Sequence, residues 1–312
     1  MIKHFSELLK ETKTKIGTDA PRLGVIWPTD RKYIEAVIDA IDQGLIKATL
    51  FGPVSTIQKL VDETDTDSFG SDSATVGFDL KDVDSPEKAA QMAIKMVSDG
   101  ELDFLLKGDI ITRDFINMLY DETNGMVSKK DVVTHIGVMQ SDRYHKLMFV
   151  TDGAVNCSPD ASKKIQILQN AASIVKQFGI ETPRVALLAA VEAIYPAVPV
   201  TMEEAAIAKM SERGQIKGVV VDGPLSFDVA ISKDVALSKG ITNSEVAGET
   251  DIFVPPNMET ANGVYKAMVM YAGLNAASVI HGAAVPIATG SMVDSTRNIL
   301  NSITLGAFLA KS

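Results

Sequence analysis

Short apolar runs ending at Gly or Pro alternate along this chain with segments whose apolar residues recur every three or four positions. RLGVIWP, KATLFGP, LDFLLKG, PRVALLAA and IKGVVVDGP have the length and apolar density of strands buried on both faces. IEAVIDAIDQG, VSTIQKLVDE, DSPEKAAQMAIKMVSDG, IQILQNAASIVKQFG and TMEEAAIAKMSERG carry the helical period. This alternation predicts an α/β fold built on parallel strands. In one helix the punctuation is complete: Ser85 is placed to cap it, Pro86 opens it and Gly100 lies just past its end. VVTHIGVM and KLMFVTDG are adjacent strand-like runs with no helix between them, so the alternation breaks near residue 150. We therefore expect α/β domain I over 1–150, completed by about 285–312, and α/β domain II over 151–284.

Length allows one large domain or two of ordinary size, and the break in pattern favours two; the chain has 312 residues. A hydrophobic fraction of 46% with 22% charged residues is that of a globular protein with a substantial core. The net charge of −10 and pI near 5.0 exclude a nucleic-acid backbone as partner, because no segment clusters the Lys and Arg it requires. Cys157 is the single cysteine, so no disulfide framework exists, and no Cys/His cluster offers a metal site. The amphipathic N-terminus MIKHFSELLKETKTKIG lacks the features of a signal peptide, which fits a cytoplasmic location. Residues 267–293 contain no charged side chain. Asn275, Ser278, His281, glycines and Pro286 interrupt them, so a helix followed by two buried strands of a parallel sheet suits them better than a membrane span. TDTDSFGSDS reads as an acidic surface connection.

In α/β sheets ligands gather at the carboxyl ends of the strands. The residues found there are Lys107, Gly108 and Thr112, then Asp152 and Asn156, Asp222, Gly223 and Asp228, Asn257 and Asn262, and finally Thr289, Gly290, Ser291 and Asp294. Each has a plainer role open to it: Gly108, Gly223 and Gly290 as turn backbone, Thr112 and Asp294 as helix caps. PIATGSMVDSTRNIL is a strand turning into a helix, the kind of junction whose free N–H groups hold phosphates. Cys157 reads as a buried bystander, Met258, Met268 and Met270 as core filler, and His281 as a core histidine. Trp27 closes its strand as a packing or pocket residue.

LLKG, VTHIGV, KLMFVTDGAVN, VVVDGPLSFDVAIS, DIFVPPNMETANGVYKAM and VPIATGSMVDS together resemble the phosphate acetyl/butyryltransferases, most closely the butyryltransferase branch. The resemblance spans nearly the whole chain and is densest from about residue 102. It implies reversible acyl transfer between an acyl-CoA and inorganic phosphate, with no metal or organic cofactor. It also implies two α/β domains with a cleft between them on a fold like that of isocitrate and isopropylmalate dehydrogenases, and a homodimer or higher homo-oligomer formed through domain II. The family's serine falls on Ser291. Its partner arginine falls on Met292, its acid/base carboxylate in acetyltransferases on Asn298, and a second arginine on Asn117, with Arg113 out of register. Butyryltransferase-like members carry the carboxylate at the position of Asp294. The resemblance thus assigns Ser291 and Asp294 to catalysis. Phosphate and acyl-CoA binding is then expected of the strand-end residues Lys107, Gly108, Thr112, Asn156, Asp222, Asn257, Asn262, Thr289 and Gly290, with Met292 and Asn298 at family positions. A non-catalytic acyl-CoA-binding protein is the alternative that Met292 favours; a decarboxylating dehydrogenase would need a metal-binding Asp cluster that is missing.

Overall fold

A computed structural model describes residues 1–64 and 77–311, and its contacts divide the chain into two compact units. The acidic TDTDSFGSDS segment lies almost entirely outside the described residues.

One unit comprises Phe5–Asp131 and Ala276–Ser312. Its strands are β1 (Arg22–Ile26), β2 (Lys47–Gly52), β3 (Phe78–Asp82), β4 (Phe104–Lys107), β10 (Asn275–His281) and β11 (Ile287–Thr289), in the order β3-β2-β1-β4-β11-β10. All neighbours run parallel except β10 and β11. These two close as an antiparallel pair, against the expectation of parallel strands, because residues 282–286 are too few for a crossover. The sequence did not single out β3, whose mixed apolar and charged residues leave it half exposed.

Helices α1 (Phe5–Ile16), α2 (Arg31–Asp42), α3 (Val54–Glu63), α4 (Pro86–Ser98), α5 (Thr112–Leu119) and α11 (Thr296–Ala310) complete this unit. Ser85 caps α4 by accepting the Lys88 N–H, and Gly100 takes the positive φ that ends it. Residues 298–309 of α11 are all buried, so its polar residues need partners. Asn298 Oδ1 accepts from the Ala276 N–H, Ser302 Oγ from the Ser278 N–H, and Asn301 Nδ2 donates to the Ala276 carbonyl, which pins β10 to the helix. Gly306 sits mid-helix because a Cβ there would fall 2.6 Å from the Phe104 ring.

The second unit comprises Met1–His4 and Val132–Asn275. Its strands β5 (Thr134–Gln140), β6 (Met148–Thr151), β7 (Arg184–Leu188), β8 (Val220–Leu225) and β9 (Ile252–Val254) lie in the order β5-β6-β9-β7-β8. β5 and β6 are antiparallel and the rest parallel. Packed with them are α6 (Ala161–Gln177), α7 (Pro199–Glu212), the short α8 (Phe227–Ile231) and α9 (Lys233–Ser238), and α10 (Met258–Lys266), which runs into a π-helical turn at Ala267–Tyr271. The buried ammonium of Lys146 bonds Asp251 at 2.6 Å and the Glu249 carbonyl at 2.7 Å, which compensates its lost hydration.

Glu204 of α7 is fully buried, and among the described residues neither carboxyl oxygen has a hydrogen-bond partner. Burial pushes its pKa up to about 8, opposed by Lys164 and helped by Glu203, which itself pairs with Lys164. The folded chain therefore holds this proton more tightly than the unfolded chain does. Its stabilising contribution is full below about pH 4.5 and is lost as pH rises through about 8. Glu204→Gln, neutral at every pH, is expected to gain stability relative to wild type by a few kcal/mol between pH 5 and 8. Denaturant titrations across that range check this; a difference independent of pH would contradict it.

Candidate active site

In the unit built around α11, the carboxyl ends of β1, β4 and β11 lie side by side. Register pairs Lys107 with Ile26 on one side and Thr289 on the other. At Gly108 the chain crosses the end of β1: its N–H donates to the Ile26 carbonyl and the next N–H, of Asp109, to the Trp27 carbonyl, both at 3.0 Å. A Cβ at Gly108 would meet those same carbonyl oxygens at 2.4 and 2.8 Å, so only glycine fits. Trp27 takes a positive φ of 51° at this crossing. The Lys107 ammonium is buried against the Gly108 carbonyl at 3.3 Å, and desolvation holds its pKa below the usual lysine value, with Asp109 opposing.

After β11 the chain makes a closed turn. The Ser291 N–H donates to Asp294 Oδ2 at 2.7 Å and the Asp294 N–H returns to the Ser291 carbonyl at 3.0 Å. Asp294 is 4% exposed. It does not cap α11: Ser295 does, accepting the Asn298 N–H. Gly290 lies against Tyr33 of α2, where a Cβ would sit 3.3 Å from the phenol oxygen. Burial raises the pKa of Tyr33, and the charges of Asp109, Asp294 and Asp30 raise it further, so all three carboxylates share its surroundings. Thr289 is fixed by Ser278, whose hydroxyl meets both its carbonyl and its Oγ1. Met292 is 89% exposed at the tip of the turn. One unit thus gathers Lys107, Gly108, Thr289, Gly290, Ser291 and Asp294, and adds Tyr33 and Asp109.

Thr112 stands apart as the first residue of α5, and Asn117 is exposed on the same helix. Arg113 is exposed and paired with Asp114. Asn298 points its carbonyl at β10 and serves the sheet.

In the other unit Asp152 is a buried hub just after β6. Its Oδ1 accepts the N–H groups of Ala154 and Val155, and its Oδ2 accepts the His135 N–H and Asn156 Nδ2. Asn156 also donates to the Val133 carbonyl, and Asn262 Nδ2 to the Gly153 carbonyl at 3.0 Å. Asn257 caps α10, accepting from both the N–H and the hydroxyl of Thr260. Asp222 lies within β8, where its Oδ1 accepts the Gly223 N–H, away from the Asp152 hub. Asp228, Glu192 and Lys239 surround the Ser226 hydroxyl, a polar cluster that sequence spacing alone does not reveal.

Two residues expected inside are exposed, and Met258 and Met268, expected in the core, are half-buried. Cys157 is exposed, because it follows the tight 152–156 loop onto the surface. Met270 is also exposed, since the π-helical turn rotates it away from the buried Val269. Burial lowers the pKa of His281. Among the described residues no helix is long and apolar enough to cross a membrane.

A branched-chain phosphotransacylase from Enterococcus faecalis superposes with a TM-score of 0.78 at 22% identity over 93% of this chain and 99% of that one. A 4-hydroxythreonine-4-phosphate dehydrogenase from Burkholderia phymatum does so at 0.54 and 12% identity over 93% and 98%. These likenesses define the fold, one shared by phosphotransacylases and dehydrogenases of the isocitrate type. Residues 25–307 match the family described as Phosphate acetyl/butaryl transferase, and a phosphate butyryltransferase from Clostridium acetobutylicum is 36% identical over 315 positions, 99% of each chain. The chain belongs to that phosphate acetyl/butyryl transferase family.

Proposed function

We propose that this protein is a phosphate acyltransferase of the butyryl type, moving a short or branched acyl group reversibly between CoA and inorganic phosphate. It needs neither metal nor bound organic cofactor, works in the cytoplasm, and is a homodimer or higher homo-oligomer. The observation that carries the reading is the closed Ser291–Asp294 turn, a nearly buried carboxylate held on the N–H of a serine beside the end of β4.

A phosphate oxygen attacks the thioester carbonyl, the C–O bond forms and the C–S bond breaks. The CoA sulfur leaves with a proton derived from the attacking phosphate. Ser291 donates its hydroxyl to the developing oxyanion, and Asp294 relays the proton from phosphate to sulfur. Thr289, Gly290 and Met292 shape the seat, and Lys107 and Gly108 border it. Thr112, Asn156, Asp222, Asn257, Asn262 and Asn298 stand as substrate-binding or supporting positions in the same proposal.

The test is CoA release from acetyl-, butyryl- and isobutyryl-CoA by purified protein, with and without phosphate. Phosphate-dependent release that is faster with butyryl- or isobutyryl-CoA is the expected result. Binding of CoA without any phosphate-dependent release would overturn the assignment.

A further inference from the structure

We propose that Lys32 is the phosphate-binding cation of the Ser291 turn, an inference that rests on the phosphate acyltransferase reading. Lys32 lies in the first turn of α2, far from Ser291 in sequence, yet its Nζ donates to the Met292 carbonyl at 2.9 Å and reaches the Ser291 carbonyl at 3.5 Å. Its side chain is 15% exposed. Asp30 Oδ2 stands 3.6 Å away and the Tyr33 ring centroid 5.6 Å away.

Charge requires such a group. Inorganic phosphate is a dianion near neutral pH, and the turn that receives it carries the buried carboxylate of Asp294, with Asp109 and Asp30 also around Tyr33. The Ser291 N–H is already committed to Asp294, so it is not available to offset the ligand's charge. Met292 brings no charge. Lys107 is buried at the sheet end, where desolvation disfavours its charged form. Lys32 is an ammonium that hydrogen-bonds the turn itself.

It has three donors, one engaged at good distance by Met292 and the others facing acceptors at 3.5 Å or beyond. A phosphate oxygen at the mouth of the turn can therefore replace a long contact with a short charge-assisted one without unseating the side chain. Arg31 and Glu35 hold the setting: Arg31 pairs with Glu35 at 2.6 Å, and Glu35 accepts from Thr296 at the start of α11, fixing α2 beside the turn.

Lys32→Gln keeps a donor for the Met292 carbonyl and removes the charge, and Lys32→Arg keeps both. The expected result is a KM for phosphate raised about 10- to 100-fold in Lys32→Gln, with the KM for acyl-CoA within about twofold and Lys32→Arg close to wild type. An unchanged KM for phosphate, or equal rises in both KM values, would overturn the proposal. Should wild type release no CoA at all, the acyltransferase reading fails separately, and protection against thermal unfolding by inorganic phosphate then decides Lys32. Protection present in wild type and Lys32→Arg but lost in Lys32→Gln supports the role; equal protection in all three, or none in wild type, overturns it.

Discussion

Replacing Asp294 by Asn is expected to lower kcat for phosphate-dependent acyl transfer by about 10²- to 10⁴-fold while leaving the unfolding midpoint near that of wild type. The asymmetry follows from how the carboxylate is held. Asp294 Oδ2 accepts the Ser291 N–H at 2.7 Å, and the carbonyl oxygen of an asparagine can accept the same bond. The turn therefore survives the substitution, and what disappears is the ability to take up and return a proton. Asp294→Ala removes both, so it should lose stability as well as turnover: the Ser291 N–H is left without its partner. Steady-state kinetics and denaturant unfolding on the two variants separate the roles. A near wild-type kcat in Asp294→Asn would reduce Asp294 to a turn residue.

Gly108→Ala is expected to destabilise the protein by about 2–4 kcal/mol and to depress turnover with it. The added methyl would lie 2.4 Å from the Ile26 oxygen and 2.8 Å from the Trp27 oxygen. Both are backbone atoms at the carboxyl end of β1, and they already accept hydrogen bonds from residues 108 and 109. Relief requires moving the end of β4 off β1, which also shifts Lys107 and, through register, Thr289. Gly263→Ala is the matched control. That glycine is helical with open space where the methyl would go, so alanine should be neutral or slightly stabilising. Equal unfolding midpoints for Gly108→Ala and wild type would contradict the close approach.

The fold was legible where local chemistry and burial agree. The strand β4 and helix α3 follow from apolar period alone, and α4 from Ser85, Pro86 and Gly100. Chain direction was less legible: the apolar runs forming β10 and β11 look alike whichever way they pair, and only the short connection at 282–286 dictates antiparallel closure. The helical pattern through YKAMVMYAG gave no warning of the π-helical turn that exposes Met270.

At the proposed site, the sequence singles out the Ser291–Asp294 stretch as a candidate but says nothing of its internal geometry. Asp294 and Ser295 are both good caps for α11. The choice is made by the backbone, which turns the Asp294 carboxylate back onto Ser291 and leaves the cap to its neighbour. Asn298 holds the Ala276 N–H near the start of β10, a contact that depends on helix and strand meeting in space and that sequence spacing does not show. Lys32 and Tyr33 were invisible for the same reason, since nothing near residue 32 in sequence points to residue 292.

The most direct test of the acyltransferase assignment is formation of the acyl phosphate itself: purified protein with butyryl-CoA and inorganic phosphate, followed by ³¹P NMR alongside free thiol. Butyryl phosphate and CoA are expected to appear in equal amounts, with butyryl-CoA re-forming when excess CoA is added. Thiol release with no acyl phosphate signal would mean that water or another acceptor takes the acyl group, and would contradict the assignment.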